Sequence, residues 1–436
     1  MVEVRPFKGI TYNKEKIQTL DKVMSPPYDI ISEKMQEKLY NNDPYNFVRL
    51  ILGKIFSEDS DSNNRYTRAK KSFEDWIQQS ILIQSDKEAI YPYRIEYMLK
   101  GEKRAMNGFF ILLKLDRDYK LVKAHEKTLS KPKADRLNLM RACQANLEPI
   151  QLLYIDEKDR LQQAIQDNLS EKPLIDVKGY DTFHHSIWKI DDKRLIKQIK
   201  ETLDEQVLFI ADGHHRYQTA INFAEEMERK TGITDKDAPF NYRMVILANM
   251  FDEGLAILPT HRLMKLTVNQ DDIIEKLKEF FTIEAIPRKT TNKEYNPIIQ
   301  TIKDKLETTQ DHRFALVFKD TYYILTLKDE ASMDELAKEQ SKTWRTLDVS
   351  ILHKIIIEHI MGITQESLED HVKYTRDDEE AIQFIDDGTF DFSFLMNATK
   401  IDELKQIAEA GEHMPQKSTY FLPKMLSGLV MYKMDF

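Results

Sequence analysis

Cysteine and glycine are both scarce in this chain, and each scarcity removes a set of chemistries. Cys143 is the only cysteine among 436 residues, so no intramolecular disulfide forms and a thiolate metal cluster is excluded. The 12 glycines nowhere fall into the spacing of a P-loop or of the dinucleotide-binding fingerprint. No HExxH zinc signature and no GxSxG nucleophile elbow occurs. No run approaches the ~20 apolar residues of a membrane span. The opening residues, MVEVRPFKGITYNKEK, carry no signal-peptide core. These absences predict a soluble, cytoplasmic protein with no membrane partner.

Positive charge is the minority sign. Lys and Arg number 64 against 73 Asp and Glu, a formal net charge of −9. Broad sequence-independent nucleic-acid binding needs a basic face, so no nucleic-acid partner is expected, while a local basic cleft remains compatible with the total. A hydrophobic fraction of 41% with 31% charged residues describes a globular protein, long enough for two or three domains with real cores. No Gly/Ser linker marks a boundary. We divide the chain near residue 240, into a catalytic region over 1–240 and an α+β region over 241–436 that completes the cleft. Strands and helices mix irregularly, which predicts an α+β fold with mixed-sheet α/β elements.

The chemistry concentrates in Val207 to Ala220, VLFIADGHHRYQTA. A short apolar strand stops at Ala211-Asp212-Gly213, and a helical apolar period begins at Tyr217. Asp212 suits an N-cap, and Gly213 permits a sharp turn or close approach to a ligand. His214, His215 and Arg216 then fall in the first helical turn. That end of a helix favours an anion and disfavours cations, so a bound phosphate or carboxylate would resolve the conflict. The bland alternative is an ordinary capped helix whose histidines meet solvent or a carboxylate.

A second dense stretch is Ala124 to Arg141, AHEKTLSKPKADRLNLMR. Pro132 keeps Lys131 out of a helix interior, so HEKTLSKPK reads as a loop, with Ser130 or Asp135 starting the helix behind it. Thr128, Lys131, Lys133 and Arg136 suit a polyanion. Glu126 beside His125 is the odd acid, fit to act as a general base or to hold Mg²⁺. A solvated basic loop explains the same residues equally well.

Other stretches carry less. In MSPPYDI the two prolines hold Tyr28 and Asp29 in an extended loop, which spacing alone reads as a structural turn. Phe47 to Leu50 alternates like a strand, Ile90 to Lys114 reads as a hairpin with a basic KGEKR turn, and Leu255 to Met264 reads as one strand. Val349 to Met361 reads as a helix. The pair His184-His185 alternates across a strand, so at most one faces any site. His261 and Arg262 lie at a strand end, and Lys417-Ser418-Thr419 has anion-binding residue types near a C-terminal strand.

Taken together, PPYDI, PYNFVRL, HEKTLSKPKADRL, ADGHHRY, PTHRL and MPQKSTYFLPK, in this order, resemble the bacterial and archaeal domain-of-unknown-function family 1015 over nearly the whole chain. The Asp-Gly-His-His-Arg box is also similar to the phosphate-handling turn of the ParB/sulfiredoxin-like superfamily, which includes free-serine kinases. That resemblance implies a ParB/sulfiredoxin-like core elaborated by an additional α+β domain. It implies that Asp212, Gly213, His214, His215 and Arg216 form a phosphate-binding turn, and that a glutamate takes the acceptor's proton.

The expectation is therefore a phosphotransferase acting on the hydroxyl of a small metabolite, with L-serine as the first choice. Its donor would be pyrophosphate, ADP or ATP. Catalysis would fall to Glu126, His125, Asp212 and His215, with Mg²⁺ at Asp212. Gly213, His214, Arg216, Thr128, Lys131, Lys133, Arg136, Tyr28, Asp29, His261 and Arg262 would bind phosphate or substrate, and a homodimer is left open. Two rivals stand beside it: a ParB-like nucleotide or nucleic-acid binding module without turnover, and a metal-dependent phosphohydrolase built on His125, His214 and His215.

Overall fold

The computed structural model describes residues 1–126, 130–265, 269–288, 295–307, 311–364 and 367–435. The chain folds into two compact units. The first takes in residues 1–124, 128–256 and 423–436, and the second residues 125–127 and 257–422.

The first unit is built on a mixed sheet. Across it run Val122–Lys123, Leu208–Asp212, Ile150–Tyr154, Tyr242–Asn249, Glu102–Lys114, Tyr91–Leu99, His184–Ile187 and Ile175–Lys178, with Val4–Arg5 paired to Glu102–Lys114. Leu208–Asp212 runs antiparallel to Ile150–Tyr154, which runs parallel to Tyr242–Asn249. The fold is thus α+β with a mixed sheet, as the irregular element order predicts.

Both faces of this sheet are covered, because side chains alternate along a strand. Phe109, Ile111 and Leu113 join Val245 and Leu247 in one core, which the helix Lys193–Asp204 closes with Leu195, Ile196, Ile199 and Leu203. Phe110 and Leu112 join Met244 and Ile246 in the other. A strand buried on both sides reads as a continuous apolar run, and all eight residues of Tyr242–Asn249 are buried. The hairpin turn is Lys100-Gly101, both with positive φ (50° and 83°), the geometry a tight two-residue turn requires. Glu102 to Arg104, expected in the turn, belong to the second strand.

The second unit carries a six-stranded antiparallel sheet in the order Phe281–Pro287, Thr321–Leu327, Arg313–Val317, Phe392–Leu395, His261–Met264, Val372–Thr375. Ile299, Ile302 and Leu306 from the helix Asn296–Glu307 and Ala381 and Ile382 from Asp378–Asp386 pack on Ala315, Val317 and Leu395.

Four local expectations are corrected. Phe47 to Leu50 is not a strand: Val48–Ile51 is a short helix in which Phe47, Val48 and Leu50 are all buried, with the Val48 amide donating to Asn46 Oδ1 at 3.0 Å. Packing on all sides overrode the alternation. Leu255 to Met264 is two strands, Ala256–Leu258 and His261–Met264, broken at Pro259, which cannot donate to a ladder. The helix behind HEKTL starts at Ser130 and contains Pro132, tolerated in a first turn whose N–H groups lack helical partners. Val349 to Met361 is helical only in part as an α-helix, since Leu352–Ile360 is wound as a π-helix.

One backbone crossing is tight enough to test. A Cβ added to Gly254 would lie 2.1 Å from the Ala105 carbonyl oxygen, while the Gly254 carbonyl accepts from Tyr97 Oη at 2.8 Å. We expect Gly254→Ala to destabilise the intact chain by about 1–3 kcal/mol, the range of overpacking, read as a lower urea midpoint. An unchanged midpoint would show that the two backbones separate freely.

Candidate oxyanion site

The central stretch folds as strand Leu208–Asp212, Gly213, and helix His214–Thr231. Gly213 has φ of +98°, a conformation that glycine adopts at little cost. A Cβ there would also lie 3.1 Å from Arg216 Nε, because the Arg216 side chain folds back over the turn. Asp212 is not the N-cap. Gly213 holds that position and the helix has no side-chain cap, because the Asp212 carboxylate is drawn elsewhere. Arg216 donates to its Oδ2 and Lys424 to its Oδ1. The conflict of cations in a first helical turn is therefore answered in part within the protein.

Burial alone would raise the Asp212 pKa, but Lys424, Arg216 and His214 together hold it well below the usual carboxylate range. Arg216 also donates to the Pro149 carbonyl. Its neighbour in sequence, Glu148, is a hub. Glu148 Oε1 accepts from the Tyr28 amide at 3.2 Å and Ser427 Oγ at 3.1 Å, and Oε2 from Arg136 Nη1 at 3.4 Å. The Glu148 carbonyl accepts from Arg243 Nη2 at 2.6 Å. Arg136 further donates to the Ile51 carbonyl at 2.8 Å and to Asp135, and lies 3.9 Å over the Tyr28 ring. Asp135 in turn takes the Tyr66 hydroxyl at 2.7 Å and the Arg65 guanidinium.

Arg136, Arg216 and Arg243 line one cleft with Glu148, Leu139 and Met140, a space of about 330 Å³ including its open mouth. Counting the contacts above, five cations (Arg65, Arg136, Arg216, Arg243, Lys424) meet three carboxylates (Asp135, Glu148, Asp212). The excess falls at Arg243. It is 3% exposed, and its Nε and Nη1 have no hydrogen-bond partner among the described residues. Burial, with Arg216 alongside, pushes its guanidinium pKa down. A buried guanidinium with idle donors is costly unless an anion supplies the missing acceptors.

Of the expected site residues, Tyr28, Arg136, Asp212, Gly213 and Arg216 come together here. His214 is buried beside Asp212 and His215 is half-buried. Asp29 is exposed and acts on Arg216 only through its charge. Lys133 is half-buried on the helix Ser130–Cys143, whose first turn holds Lys131. Thr128 and the Lys131 side chain lie outside the described residues. His125, Glu126, His261 and Arg262 belong to the second unit.

Three residues of the cluster were not anticipated. Arg243 heads an otherwise apolar buried strand, a charge out of place that could have been noticed. Lys424 follows Pro423 at the end of a motif already singled out, MPQKSTYFLPK, five residues beyond the KST triplet. Glu148, in Leu147-Glu148-Pro149, gave no signal.

Mg²⁺ does not fit at Asp212, because both carboxylate oxygens are taken by cations. Among the described residues no three His, Cys, Asp or Glu side chains gather as metal ligands, so the three-histidine hydrolase finds no ligand set there. Among them, too, no helix is long and apolar enough to cross a membrane.

A family model described as protein of unknown function (DUF1015) matches residues 4–350. A comparison with curated proteins finds no match. Among solved structures the chain is similar to a mutant free serine kinase in complex with ADP, at 14% identity and a TM-score of 0.36 over 72% of this chain and 87% of that one. It is similar to a conserved hypothetical protein from Pyrococcus furiosus, at 15% identity and 0.34 over 72% and 90%. SbnI from Staphylococcus aureus, truncated at its C-terminus, follows at 12% and 0.35 over 74% and 86%.

The Asp212 pairs set an acid-side test. A carboxyl whose pKa is depressed by folding stabilises above its unfolded value near 4 and loses that contribution as pH falls toward the folded value. We expect Asp212→Asn to destabilise the protein by about 3–5 kcal/mol at pH 7, by removing the buried carboxylate charge that Arg216 and Lys424 share. The difference from wild type should narrow below about pH 4. Parallel denaturation curves at pH 7 and pH 3 check both, and a gap that stays constant would remove Asp212 from the linkage.

Proposed function

We propose, for a chain that belongs to the DUF1015 family, a phosphotransferase that moves a phosphoryl group onto the hydroxyl of a small metabolite. Free L-serine is the first acceptor to test. Pyrophosphate, ADP and ATP are the candidate donors. The observation that carries the reading is the cleft shared by Arg136, Arg216 and Arg243, with Arg243 donors that nothing among the described residues satisfies.

Phosphoryl transfer asks little covalent chemistry of a protein and much positioning and charge neutralisation. Arg216 is pre-set by Asp212 and the Pro149 carbonyl, and Arg136 by Asp135 and Glu148. Both guanidinium groups are therefore fixed in place, so that the positive charge lining the cleft meets an oxyanion at little ordering cost. Arg216 stands in the first turn of its helix, the end at which backbone N–H groups and the helix dipole favour an anion. In the reaction the acceptor oxygen bonds to phosphorus, the donor's bridging P–O bond breaks, and the hydroxyl proton passes to a base. Serine is chosen because the Asp-Gly-His-His-Arg box resembles the phosphate-holding turn of free-serine kinases.

Phosphorus NMR tests this, with L-serine and related alcohols offered with each donor, with and without Mg²⁺. We expect a new phosphomonoester signal that Arg216→Ala abolishes. Arg243→Met should weaken phosphate binding by about 1.5–3 kcal/mol, roughly ten- to hundredfold, the worth of hydrogen bonds to a charged group. Binding without turnover, whatever the donor, would make the protein a binding module. Loss of neither binding nor turnover in Arg216→Ala would reject the site.

A further inference from the structure

Three stretches that the arginine cleft does not use contribute to one cluster in the second unit: His125-Glu126, Thr260-His261-Arg262 and Lys417-Ser418-Thr419. Arg262, on the strand His261–Met264, is 2% exposed. Among the described residues it faces no carboxylate. Its guanidinium donates to the Thr260 carbonyl, to Met396 Sδ at 2.9 Å and, at the limit of 3.5 Å, to the Lys417 carbonyl. It lies 5.6 Å from the Tyr374 ring centroid. Two residues beyond Tyr374, Arg376 sits 3.9 Å over the Tyr420 ring. Among the described residues its buried Nε has no partner and it pairs with no carboxylate. Among them, too, the buried Thr260 Oγ1 has no partner, and Thr419 Oγ1 is 3.0 Å from His125 Nε2.

The acids nearby are committed elsewhere. Asp378 pairs with Lys303 and, at 3.0 Å, with His261 Nε2, while Glu380 takes the Thr375 hydroxyl. His261 is thereby a strut, its Nδ1 accepting from the Met396 amide at 3.3 Å. Lys417 is held in a left-handed conformation, φ +58°, uncommon for a residue with a side chain. The loop is pinned on either side of it, by Ser418 Oγ donating to the Pro415 carbonyl and by Thr399 Oγ1 donating to the Ser418 carbonyl at 3.0 Å. A buried arginine left to carbonyls and a thioether has an unneutralised charge, which is expensive. A bidentate oxyanion is the partner whose geometry its fork matches.

We propose that the second unit holds an oxyanion site of its own, in which Arg262 and Arg376 clamp the phosphate or carboxylate of a small molecule and the Thr260 hydroxyl completes the ligand set. Nothing in this site is shared with the Arg136–Arg216–Arg243 cleft.

Calorimetric titration of the intact chain with inorganic phosphate, and separately with acetate, tests it. The wild type should bind two equivalents of at least one anion, and the choice between the two anions tells which oxyanion the second site prefers. Arg376→Gln, at a half-buried position where folding is retained, should lose one equivalent or weaken it at least tenfold. Thr260→Val, which removes only a hydroxyl, should weaken the same event. Arg243→Met should remove the other. An Arg376→Gln protein that titrates like the wild type, or a wild type that binds neither anion, overturns the second site. An Arg243→Met protein that titrates like the wild type counts against the first cleft alone.

Discussion

The ion pair between Arg216 and Asp212 is the interaction on which the first unit's site depends. It spans one turn of backbone, from the last residue of a strand to the first turn of a helix, and both partners are largely buried. Lys424, distant in sequence, closes on the other carboxylate oxygen. Buried pairs add little net stability over apolar packing, but losing one partner is expensive. Their usefulness lies in direction. The carboxylate holds a guanidinium at the mouth of a helix, where the backbone also favours an anion.

Around that pair the cluster is graded rather than neutral. Arg136 is fully engaged by Asp135, Glu148 and a carbonyl. Arg216 shares one carboxylate with Lys424, and Arg243 has only a carbonyl. Positive charge without a matching acid therefore accumulates toward Arg243. That gradient explains why a protein of formal charge −9 still carries a basic cleft: net charge describes the whole surface, whereas a site depends on a few side chains held close together.

The second unit repeats the physical theme with different parts. Its strand His261–Met264 carries a buried arginine whose neighbours are carbonyls, sulfur and aromatic rings. In both units a buried arginine on an inner strand is left without a carboxylate partner among the described residues. Arg243 and Arg262 both stand where a strand would ordinarily place an apolar side chain.

Periodicity and turn chemistry made much of this protein legible from its residues. The strand–glycine–helix run at 208–231, the hairpin at 91–114 and the amphipathic helix at 193–204 follow from local rules, because neighbours in sequence determine them. Arg136 and Arg216, which line one cleft, were conspicuous in the sequence as basic side chains near helix starts. Other features were decided only in three dimensions. Phe47 to Leu50 became helical because every side chain found a buried contact. Asp212 gave up its capping role because Lys424, 212 residues away, reaches its carboxylate. Glu148 became a hub because four separate segments, at Tyr28, Arg136, Arg243 and Ser427, bring donors to it. Residue types and spacing encode what a segment can do, and long-range packing selects which of those capacities is used.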